Sequence, residues 1–120
     1  MRMSDGYNSV QRRDYPSRRL GAASLPASER VIYECPPGMT ATIEHLQVAS
    51  THTGNETFRM WHVRQNEATG LSNALFYDYT IAAKSYLHEE GVLYLTPGER
   101  IVASAGNADR ITLTIYGTER

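Results

Sequence analysis

The sequence predicts an all-β fold, an antiparallel β-sandwich or jelly roll of about seven to eight strands preceded by an extended N-terminal arm. Three observations predict it. Apolar and polar residues alternate with period two in several short runs, turn residues punctuate those runs, and no long stretch carries the 3.6-residue period of an amphipathic helix. Nine glycines and five prolines among 120 residues supply the many turns that such a fold needs.

The first strand is expected over residues 31–35, where Val31, Tyr33 and Cys35 alternate with other residues until Pro36, Pro37 and Gly38 stop the run. Residues 40–50 form the second. Its apolar phase slips between Ile43 and the pair Leu46 and Val48, which predicts a β-bulge near Glu44 and His45. Residues 57–65 give a third strand with mixed faces, because Arg59 and His62 interrupt its aromatic and β-branched residues. After a loop around Gly70, residues 74–81 alternate over eight positions and make the clearest long strand of the middle region.

Residues 82–90 contain good helix formers and read as a short connecting turn or two of helix. Residues 92–95 then form a short strand that pairs as a hairpin with residues 100–105, across a type II turn at Pro97-Gly98. On the second hairpin strand Ile101, Ala103 and Ala105 face inward. The closing strand is the most regular, with Ile111, Leu113 and Ile115 alternating against Arg110, Thr112, Thr114 and Tyr116.

Residues 1–28 lack periodicity and read as a flexible basic arm, and residues 29–120 as the sandwich domain. Residues 1–30 hold six arginines against three acids, while the rest of the chain holds six basic residues against ten acids. The arm is therefore suited to an acidic surface, with Arg12, Arg13, Tyr15, Arg18, Arg19 and Leu20 as its candidate partner-binding residues. Arg59, Trp61 and His62 form a candidate interface on the third strand. The acidic body argues against nucleic acid as the partner, although arginines on an arm could neutralise phosphates.

Chemistry is sparsely provided for. The four histidines, at 45, 52, 62 and 88, have neither HxH nor HExxH spacing, so no metal site is assigned. Cys35 is the one cysteine, which rules out an intrachain disulfide, and its place at a strand end before two prolines suits a buried thiol rather than a nucleophile. Neither GxGxxG nor GxxxxGK[ST] occurs, no cofactor is implied, and no catalytic residue is assigned. No apolar run approaches the roughly 18 residues that span a bilayer, so neither a membrane nor the usual secretory route is expected. Exposed aromatics on a sandwich could instead bind sugars, with Trp61, Tyr77, Tyr79, Tyr86 and Tyr94 as the platform.

The run VIYECPPGMTATIEHLQVA from Val31 to Ala49, the later LTPGERIVASA from Leu95 to Ala105, and the closing Tyr116-Gly-Thr-Glu together resemble small virion proteins of tailed bacteriophages. The shared pattern is I-Y-x-C-P-x-G-x-x-A-x-I followed by L-x-P-G-D-x-I-x-A, and it covers residues 31–119. Glu99 departs from it at the aspartate position, and the N-terminal arm is longer and more basic than the pattern carries. The resemblance implies a non-enzymatic structural protein of the virion, assembled in the host cytoplasm. It would decorate or cement the capsid, or belong to the neck or tail. Its partners would be the major capsid protein or neck and tail proteins, together with further copies of itself, a trimer being the favoured ring.

Overall fold

The computed structural model describes residues 17–120. They form eight strands: β1 (Arg18–Ser24), β2 (Arg30–Glu34), β3 (Ala41–Ser50), β4 (Glu56–Val63), β5 (Ala74–Ile81), β6 (Tyr86–Leu95), β7 (Arg100–Ala105) and β8 (Ile111–Glu119). One sheet has the order β1-β8-β3-β6 and the other β2-β7-β4-β5, and every pairing is antiparallel. The pairs β1 with β8, β2 with β7, β3 with β6 and β4 with β5 fall alternately in the two sheets. That is the result of folding a long antiparallel ribbon at its middle and rolling it up, which is a jelly roll. The expected all-β sandwich is therefore the fold.

The alternating residues fill the space between the sheets. Val48, Leu113 and Ile115 from the first sheet meet Phe58, Met60 and Ile101 from the second, all essentially inaccessible to water. Ile101, Ala103 and Ala105 face inward as their spacing requires. The bulge predicted near Glu44 and His45 is present, because the pairing of β3 with both neighbours slips between Ile43 and His45. Beside it, Gly117 lies so close to β3 that a Cβ there would stand 1.9 Å from the Thr42 carbonyl oxygen.

Three expectations are corrected. The arm does not extend to residue 28: Arg18–Ser24 is β1, paired along β8, and Leu25 is fully buried with its N–H donating to the Ile111 carbonyl at 2.8 Å. Gly21, Ala22 and Ala23 carry too little apolar bulk to show alternation, yet small residues are needed here. A Cβ at Gly21 would press to 2.8 Å from the Ile32 carbonyl, where β1 closes onto β2.

Residues 82–90 are not helical. The chain turns at Lys84, whose φ is 51°, and enters the ten-residue β6, where pairing with β3 overrides the helix propensity of Leu87, Glu89 and Glu90. Nor do β6 and β7 form a hairpin. The Pro97-Gly98 turn does have the positive φ expected of Gly98, at 85°, but it carries the chain from one sheet to the other. Strand β5 exists as predicted, although its alternation breaks at Asp78, whose φ of 53° brings Phe76 and Tyr79 to the same side, against Phe58.

Candidate functional site

Arg12, Arg13 and Tyr15 lie outside the described residues. Of the other arm residues, Arg18 forms an ion pair with Glu119, Arg19 is exposed, and Leu20 packs against the core. The three are thus edge-strand residues of the sandwich, with Arg18 and Arg19 displayed on its flank.

Arg59, Trp61 and His62 do not form one surface. Phe58 and Met60 point into the core, so Arg59 and Trp61 share the outward face of β4 and His62 the inward one, near the end of the strand. Arg59 makes two hydrogen bonds to the Asp78 carboxylate, at 2.6 and 3.1 Å, and lies 4.0 Å from the centroid of the Tyr77 ring. Trp61 is buried in a small outer cluster with Val63 and Val102, and its indole N–H has no hydrogen-bond partner among the described residues. That burial removes it from any exposed aromatic platform. His62 meets Glu99 at 2.6 Å, and Glu99 also accepts from the Thr96 hydroxyl at 2.6 Å. Burial raises the Glu99 carboxyl, but the bonds from Thr96 and His62 outweigh it and hold the group below its ordinary value.

Sequence reasoning missed the most heavily bonded carboxylate. Glu56, buried at the start of β4, accepts hydrogen bonds from the backbone N–H of Asn107 at 3.0 Å and of Thr57 at 3.3 Å, and from Arg110 at 3.3 Å. Arg110 also approaches His52 at 3.1 Å. Asn107 and Arg110 lie more than 50 positions from Glu56 and His52, so no local pattern could announce them. Among the described residues no group of three or more His, Cys, Asp or Glu side chains is placed to hold a metal ion. Cys35 is buried at the end of β2, its thiol 3.4 Å from the Met39 carbonyl and 3.7 Å from that of Leu95. Burial, then the charges of Glu119 and Glu99, push that thiol above its ordinary pKa.

The distinctive surface is a flank. Of the eight large apolar side chains exposed among the described residues, six lie on β5 and β6: Leu75, Tyr77, Tyr79, Tyr86, Val92 and Tyr94. These strands are the edges of their respective sheets and stand on the same side of the sandwich. Between them opens an apolar groove of about 270 Å³, floored by Ile43, Leu46 and Met60 and walled by Phe76 and Leu93, with Glu89 and Glu90 at its rim. The opposite flank differs, because there β1 closes onto β2 at Gly21 and Ile32.

No known protein family matches the sequence, and no curated protein matches it. Among solved structures, one titled as the structure of infectious bursal disease virus Gx strain is similar over 88% of this chain, at 9% identity and a TM-score of 0.37. The similarity spans 38% of that chain's length.

Proposed function

We propose that this chain is a non-enzymatic structural protein of a virus particle, a capsid decoration or cement protein of a tailed bacteriophage. The observation that carries the reading is the apolar β5/β6 flank. Single exposed apolar residues are ordinary, but an open apolar groove between two sheet edges, lined by exposed Leu75 and Val92 and flanked by strands that also display four tyrosines, favours a surface that a partner covers. The resemblance of residues 31–119 to small virion proteins supports the same reading.

The arm reading narrows to residues 1–16, since β1 belongs to the sandwich. That segment holds Arg2, Arg12 and Arg13, and 16 residues can reach about 55 Å when extended, enough to contact a neighbouring subunit or the major capsid protein. Deleting residues 1–16 leaves a folded sandwich that no longer attaches to particles; undiminished attachment would remove the arm from the proposal.

Copy number per purified particle, measured by quantitative mass spectrometry against the major capsid protein, tests the placement. Hundreds of copies fit a shell decoration, and about a dozen would move the protein to the neck or tail. Absence from particles would overturn the virion reading.

A further inference from the structure

The two flanks of the sandwich match each other in height, direction and charge, and we infer that copies of this chain join head to tail, the β6 edge of one pairing with the β1 edge of the next. This inference deepens the self-association expected of the proposed function and rests on that reading for its biological setting. Its geometry comes from the strand registers alone.

Across the first sheet, Arg19 is opposite Tyr116, Tyr116 opposite His45, and His45 opposite Glu90. Arg19 and Glu90 therefore stand in one row at the two free edges. Leu20 and Leu87 pack toward the core, which leaves Arg19 and the His88/Glu90 pair on the outer face. A ring whose axis runs along the strands keeps every residue at its own height, so Glu90 of one copy meets Arg19 of the next on the same face. Three successive antiparallel pairings also make β6 antiparallel to β1. The junction thus continues the sheet with the hydrogen-bond pattern it already has.

The regular stretch Tyr86–Glu90 faces Arg19–Ser24, and beyond it Gly91 and Val92 bulge away where the pairing with β3 slips. The small side chains of Gly21, Ala22 and Ala23 let the incoming edge approach closely. The second sheet repeats the match: Val31, Val102, Trp61 and Ala74 form one row. Exposed Val31 on the β2 edge would accordingly sit beside Ala74 of the next copy, next in sequence to the Leu75 that lines its groove.

Charge selects this pairing over its alternatives. Joining β6 to a second β6 sets Glu89 and Glu90 among their own kind, and joining β1 to β1 sets Arg18 and Arg19 likewise, whereas joining unlike edges sets arginine against glutamate. Arg18 is already engaged by Glu119, and among the described residues Glu90 has only His88, at 3.5 Å, with its own side chain 80% exposed. Glu90 is thus open to a new partner. Contacts between unlike patches give a ring where the rotation between copies closes, and not a two-fold dimer.

Disulfide trapping in the full-length chain tests it, with Arg19→Cys and Glu90→Cys made singly and together. Within one copy these positions are three strand spacings apart, about 14 Å. A disulfide tolerates at most about 7 Å between Cα atoms, so any bond between them must join two copies. The expected result is a ring-sized mass for the wild-type protein by native mass spectrometry, and a covalent ladder from the double variant alone. As a second route, Arg19→Glu disperses the ring, and Arg19→Glu with Glu90→Arg restores it. A monomeric wild type, covalent dimers from either single variant, or a multimer whose double variant gives no ladder would each overturn the inference. Particle copy number is read independently, so failure of the ring and failure of the virion reading are told apart.

Discussion

The carboxylate of Glu56 lies beneath the β7–β8 loop and accepts the backbone N–H of Asn107 at 3.0 Å, tying two segments 51 positions apart. Burial raises its carboxyl, but the bonds from Asn107, Thr57 and Arg110 together overcome that effect and hold it below its ordinary value. Replacing Glu56 with Gln weakens the charge-assisted bonds and leaves the Arg110 guanidinium without its acidic partner. A loss of about 1–3 kcal/mol at neutral pH is expected in denaturant unfolding.

The pH dependence of that loss has a definite sign. A carboxyl depressed in the folded state contributes stability that is fully present above its unfolded pKa, about 4.3, and is lost as pH falls through the lower folded value. The stability difference between wild type and Glu56→Gln should therefore shrink in acid. Glu99 is depressed as well and adds to the acid sensitivity of both proteins, which is why the difference between them is the quantity to measure. A constant difference from pH 7 to pH 3 would show that the Glu56 bonds contribute through geometry rather than charge.

Gly117 and Thr42 bound the most crowded approach of β3 and β8. Because a Cβ at Gly117 would stand 1.9 Å from the Thr42 carbonyl oxygen and 2.9 Å from its carbon, backbone must move to admit even Ala. Gly117→Ala should cost about 3 kcal/mol or more, at or beyond the upper end for overpacked sites. Gly70→Ala is the control, since nothing lies within 4 Å of a Cβ there and its backbone is extended. Equal melting temperatures for the two variants would contradict the close approach.

Why some elements were legible in the sequence and others were not follows from what each strand packs against. β8 could be read because Ile111, Leu113 and Ile115 face a core while Thr112 and Thr114 do not, so burial and period coincide. The β3 bulge could be read for the same reason, as a slip in that phase. β6 could not, because an edge strand leaves most of its residues exposed and its partner β3 lies some 40 positions earlier. β1 was hidden by the smallness of Gly21, Ala22 and Ala23, the property that lets it approach β2. The flank is a product of topology: β5 and β6 are each unremarkable, and only the rolled ribbon sets their apolar residues side by side.

Phe58 is the aromatic centre of the second sheet, fully buried with Phe76 at 5.1 Å and Tyr79 at 5.9 Å between ring centroids. Phe58→Ala should lose about 3–5 kcal/mol, because the transfer energy of the ring and the cavity it leaves act together. The loss should also loosen β5, whose inward rings Phe76 and Tyr79 lean on Phe58. Hydrogen exchange separates the two effects: amides of β5 should lose more protection than those of β8, which Phe58 does not pair with. Equal loss in both strands would mean that the sandwich opens as one unit and that β5 has no separate dependence on this ring.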